Sequence, residues 1–123
     1  MSSSETDFSR WLSARYAASE GFTALILLVA IREQVDMLAC AYLHVIGDDI
    51  TWPEMRGLID QSGKPWDGVA IFAENAVGGG PVIDVVAASR LQDRIDQVTA
   101  DRMVLNEAGF FDPRGRAIRI DPA

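Results

Sequence analysis

Apolar positions recur along the chain at spacings that predict mostly helix. In residues 7–19, Phe8, Trp11, Leu12 and Tyr16 stand at i, i+3, i+4 and i+8, with Ser4 or Thr6 available as an N-cap. Gly21 interrupts the pattern. It resumes over residues 22–46, where Leu28, Ile31, Val35, Leu38, Tyr42 and Val45 follow at steps of 3, 4, 3, 4 and 3. Such a seam predicts a long helix lying against a partner helix along its whole length. Residues 24–31 are apolar on every side, so that end is expected to be buried all round. A buried strand is the alternative for those eight residues, because a short apolar run has no diagnostic period.

Thr51 and Glu54 form a capping-box pattern around Pro53, which predicts a short helix over 52–60 with Met55, Leu58 and Ile59 inward. Residues 61–68 read as a turn, and 69–73 as a strand. After Gly78, Gly79, Gly80 and Pro81, residues 81–108 are expected to form one long helix. It carries Ala88, Leu91, Ile95, Val98, Arg102 and Leu105 on one side and stops at Gly109. The alternation of Ile118 and Ile120 around Arg119 fits a short edge strand. The expected class is therefore mainly α: a helical hairpin or bundle of long amphipathic helices with a small β element. An α+β fold in which 82–87 pairs with 69–73 as a hairpin is the alternative. The chain is expected to be a single domain over 1–123, with a flexible start (1–6), a helical body (7–108) and a basic C-terminal tail (109–123).

Composition narrows the function classes more than it selects one. With 49% apolar and 24% charged residues, 123 residues suffice for an independent core without disulfides or a structural metal. One cysteine and one histidine argue against a multi-ligand metal site, and neither a metal nor a cofactor is expected. The start is acidic, and the longest apolar run is far shorter than the roughly 20 residues that span a bilayer, so a soluble cytoplasmic protein without membrane contact is expected. A net charge of −7 disfavours nonspecific adhesion to polyanions, though not a local basic site.

Signatures such as G-x-S-x-G, Walker A, H-E-x-x-H and G-x-G-x-x-G are missing, so no catalytic residue is assigned and the chain is not expected to be an enzyme. His44 with Asp48 and Asp49 is the one candidate dyad or triad, against the plainer reading of a helix end followed by a solvated turn. The mixed charges from Arg90 to Arg102 read as a solvated or subunit-contacting face. Gly78–Gly80 before a helix is a candidate anion cradle or a simple hinge. Cys40, between alanines, reads as a small core residue. The cationic candidates for a nucleic acid or protein partner are Arg114, Arg116 and Arg119 in the tail, with Arg10 and Arg15 beside Trp11 and Tyr16.

In order and spacing, the elements resemble small terminase subunits of tailed bacteriophages. The resemblance lies in a first helix bearing Trp11 and Tyr16, a long apolar helix with a late Asp36-Met37-Leu38, and a Ser62-Gly63 turn. A proline-initiated final helix then stops at Gly109-Phe110 and is followed by Pro113, Arg114 and Arg116. The resemblance implies a non-enzymatic, ring-forming homo-oligomer that binds viral DNA and presents it to a large ATPase–nuclease motor subunit. It would place Leu28, Ile31, Val35, Leu38, Tyr42, Val45, Leu91, Ile95, Val98 and Leu105 in the oligomer contacts. The competing expectation is a cytoplasmic α+β regulatory or small-ligand-binding domain acting through protein–protein contacts.

Overall fold

The computed structural model describes residues 6–19, 21–47 and 49–121. Helix α1 (Asp7–Ser19) starts as expected, with the Thr6 hydroxyl accepting the Ser9 N–H at 3.0 Å. The alternative cap, Ser4, and the expected flexible start through residue 5 lie outside the described residues.

The predicted long helix over 22–46 is instead a β-hairpin. Strand β1 (Phe22–Ile31) and strand β2 (Val35–Val45) pair antiparallel across a three-residue turn, which the Arg32 N–H closes onto the Gln34 carbonyl at 3.0 Å. Two physical features account for the helix-like spacing. β1 lies inside the sheet with helices on both faces, so every one of its positions is apolar except Thr23 and the strand shows no alternation. In β2, the register skips Leu38, as Leu28 faces Ala39 and Val29 faces Met37. This bulge reverses which parity faces which side, so its apolar positions fall at mixed spacings.

Helix α2 (Trp52–Asp60) carries the full capping box of Thr51 and Glu54, and strand β3 (Gly68–Glu74) follows. The single helix predicted over 81–108 is shorter and broken. Residues 81–83 are extended, because the Thr23 hydroxyl captures the Val82 N–H at 3.0 Å. Helix α3 (Asp84–Ala100) then ends where the Asp101 carboxylate takes the Met103 N–H and starts a 3-10 turn, η1 (Arg102–Glu107). Strand β4 (Gly109–Phe111) completes one antiparallel sheet of order β2-β1-β3-β4. The fold is α+β, not mainly α. Its sheet is not the 69–73/82–87 hairpin of the alternative either. The element order behind the terminase resemblance goes with it: the long apolar helix is the β1–β2 hairpin, and the final helix neither starts at the proline nor reaches Gly109.

α1 and α2 cover one face of the sheet, setting Phe8, Leu12, Trp52, Met55 and Ile59 against Ala24, Ile26, Leu28, Val69, Ile71 and Phe111. α3 and η1 cover the other, where Val98 and Leu105 meet Leu25, Leu27, Val29, Ala70 and Phe72. The expected tail folds back onto this body. Phe8 N–H bonds Gly115 O, Trp52 Nε1 donates to Pro113 O at 3.0 Å, and Asn106 holds both backbone groups of Ile120. Ile118 and Ile120 do not form a strand, since only an isolated bridge joins Phe111 to Ala117. No helix among the described residues is long and apolar enough to cross a membrane.

Candidate functional site

His44 lies near the end of β2, directly opposite Thr23 of β1. Of its proposed partners, Asp48 lies outside the described residues, and the imidazole turns away from Asp49 to two residues the sequence did not single out. Nε2 lies 2.7 Å from Oδ1 of Asp84, in the first turn of α3, and Nδ1 lies 2.9 Å from the Thr23 hydroxyl. Facing a carboxylate, Nε2 carries the proton of the neutral ring, so Nδ1 accepts from Thr23, whose oxygen in turn accepts from Val82 N–H. The order Asp84–His44–Thr23 has the form of an activated-hydroxyl triad. Its hydroxyl is closed off, however, because Thr23 is fully buried and its oxygen already accepts the Val82 N–H. The chain of bonds clasps the start of α3 to the sheet. The one sequence signal for Thr23 is that it alone is polar in residues 22–31.

The glycine triplet is a closed turn. Gly78, Gly79 and Gly80 all adopt positive φ, Ala76 bonds Gly80 across the loop, and the Asn75 side chain ties it to Gly21 O at 2.7 Å. An acid, Asp84, already occupies the helix start that follows, so the anion-cradle expectation is not met. Among the described residues, no group of three or more His, Cys, Asp or Glu is placed to hold a metal ion.

The C-terminal stretch meets the start of α1 at Asp7, whose carboxylate accepts from both Arg10 and the Ala117 N–H. Arg116 pairs with Asp112 at 2.8 Å, and Arg114, Arg116, Arg119 and Arg15 are all exposed. Asp7 and Asp112 both titrate below the usual aspartate range. For Asp7 the chief cause is the Ala117 backbone N–H, aided by Arg10. For Asp112, partial burial pushes upward, and the backbone N–H groups of Arg116 and Arg114 with the Arg116 guanidinium more than offset it.

The residues expected in oligomer contacts divide between core and edge. Leu28, Val45, Val98 and Leu105 are buried within the chain, and Ile31, Leu91 and Ile95 are half-buried, so no helical seam remains. Val35, Leu38 and Tyr42 lie on β2, the outer strand of the sheet, whose free side pairs with no other strand among the described residues. Cys40, expected in the core, is exposed midway along it, as is Ala41.

Beside this edge, between β2 and α2, opens a cleft of about 250 Å³. Ile26, Leu28, Ala39, Ala41, Leu43, Met55, Leu58 and Ile59 give it an apolar lining, with Ser62 at one end. Leu58 on α2 and Ile46 just past β2 remain exposed, at 48% and 74%. Comparison with protein-family models, curated proteins and solved structures finds no match to this chain. The function is therefore read from this geometry alone. An edge strand running beside a helix, with an apolar cleft between them, can accept an extended chain, whose backbone extends the sheet while alternate side chains fill the cleft.

Proposed function

We propose that this chain is a non-enzymatic interaction domain that binds a partner polypeptide by strand addition at the free edge of β2. The observation that carries the reading is an edge strand of 11 residues, apolar apart from Asp36 and His44, beside the β2–α2 cleft. Exposed sheet edges are usually blunted by lysine, proline or short length. β2 has none of these, and its one bulge, at Leu38, leaves the stretch from 39 to 45 regular. The closed His44 clasp supports binding over bond chemistry, since the one hydroxyl it could activate, that of Thr23, is fully buried.

The test is selection of a displayed library of random decapeptides on the purified chain, followed by fluorescence-polarisation titration of the enriched sequences. Enriched peptides are expected to alternate apolar and polar positions, and to lose binding to an Ala41→Pro variant whose circular dichroism matches the parent. A library that shows no enrichment, or peptides indifferent to Ala41→Pro, overturns the reading.

A further inference from the structure

We infer that the partner strand is a second copy of this chain, the two β2 strands running antiparallel about a two-fold axis at Tyr42; this rests on the strand-addition reading above. A two-fold antiparallel pair needs a stretch of regular strand that is symmetric about its own midpoint. The bulge at Leu38 ends the regular part of β2 on one side and Val45 ends it on the other, so residues 39–45 are available and Tyr42 is their centre.

In that register, small side chains meet larger ones at every pair except the central Tyr42. On the α2 face Ala39 comes opposite Val45 and Ala41 opposite Leu43. On the α3 face Cys40 comes opposite His44, and Tyr42 faces its own copy, an aromatic cross-strand pair. No position sets two bulky aliphatics or two alanines together.

Charge permits the same stretch. Two copies carrying −7 each repel over most of their surfaces, yet residues 39–45 contain no Asp, Glu, Lys or Arg. Like charges directly opposite one another weaken a strand pair. Asp36 and Asp49 fall outside the paired stretch, and Asp84, which reaches it, is held by His44 at 2.7 Å, so two acidic copies can meet at this edge.

The test is sedimentation velocity of the full chain from low micromolar to several hundred micromolar, with cross-linking of single-cysteine variants. The mass is expected to rise with concentration to twice that of the chain. Ala41→Lys, at an exposed position, is expected to weaken the dimer roughly tenfold or more while the monomer stays folded. Directly opposed antiparallel residues sit about 4.5–5.5 Å apart at Cα, within disulfide reach. Tyr42→Cys in a Cys40→Ser background is therefore expected to form a disulfide-linked dimer under mild oxidation, and Val77→Cys in the same background is not. Should Tyr42→Cys fail to fold, Ala41→Cys with Cys40→Ser and a short bis-maleimide reports the same register from an exposed site. A monomer at every concentration overturns the inference, and the peptide selection then decides separately whether the strand-addition reading survives. A dimer that ignores Ala41→Lys, or that cross-links equally through position 77, also overturns it.

Discussion

His44 and Asp84, 40 residues apart in sequence, meet at 2.7 Å and join the edge strand to the first turn of α3. The exposed end of this clasp and its buried end are unequal in energy. Asp84 is 76% exposed, so water competes for its hydrogen bond with the imidazole, and Asp84→Ala is expected to cost less than about 1 kcal/mol. Thr23 is fully buried, and Thr23→Val keeps the shape while leaving the Val82 N–H without its acceptor. An unsatisfied buried donor costs about 1–3 kcal/mol, so urea denaturation should rank Thr23→Val well above Asp84→Ala, with Thr23→Ser near the parent. Equal losses for Thr23→Val and Asp84→Ala would contradict this account.

Asp7 and Asp112 fasten the C-terminal stretch to α1, and both titrate below their ordinary value. A folded-state pKa lower than the unfolded one contributes stability that is fully present above about pH 4 and is lost as the pH falls through the folded value. The doubly substituted Asp7→Asn/Asp112→Asn chain is therefore expected to be less stable than the parent at neutral pH. The gap should narrow progressively as the pH falls below about 4. Urea midpoints measured across that range check it, and a gap that widens in acid would reverse the sign.

How far the fold was legible depended on whether each element had one covered face or two. α1 and α2 each bury one side and carry side-chain caps at Thr6 and Thr51, and both stand where spacing and caps placed them. β1 is covered on both faces, so it shows no period, and its turn residues Arg32, Glu33 and Gln34 include no glycine, proline or asparagine to mark a reversal. The bulge at Leu38 then disguised β2. β4 is only three residues long, too short to show any period. Of the surfaces on which the proposed function rests, the apolar residues of β2 are legible in the sequence, but as a helical seam. Sequence spacing pairs His44 with Asp49, whereas Thr23 and Asp84 reach it only through the sheet register and the packing of α3.

Arg94 pins α3 to the sheet in two ways at once. Its guanidinium lies 4.5 Å from the centroid of the Phe72 ring and 3.3 Å from the Glu74 carboxylate. Lysine keeps the charge but loses the planar stacking, so Arg94→Lys is expected to cost about 1 kcal/mol despite being formally conservative. In a double-mutant cycle with Phe72→Leu, measured by urea denaturation, the two losses should couple. Strictly additive losses would show that the stacking contributes nothing.

Two glycines set how closely the C-terminal stretch approaches the aromatic cluster of α1 and α2. At Gly109, a Cβ would lie 2.5 Å from Cε2 of Trp11, whose ring packs edge-on against Phe22 and Phe111. At Gly115, φ is +78° and a Cβ would lie 2.9 Å from Cγ of Trp52, so alanine meets both backbone strain and a ring held by the Nε1 bond to Pro113. Overpacking of this kind costs about 1–3 kcal/mol, and Gly115→Ala adds about 1 kcal/mol for the left-handed conformation. Both variants are therefore expected to lower the thermal midpoint, Gly115→Ala the more. Gly63→Ala is the control for the backbone contribution alone, because its φ is +69° and nothing lies near its Cβ position. If Gly63→Ala lost as much stability as Gly115→Ala, contact with Trp52 would play no part in the cost. If it lost about 1 kcal/mol and Gly115→Ala clearly more, the excess would measure how firmly the C-terminal stretch is seated on Trp52.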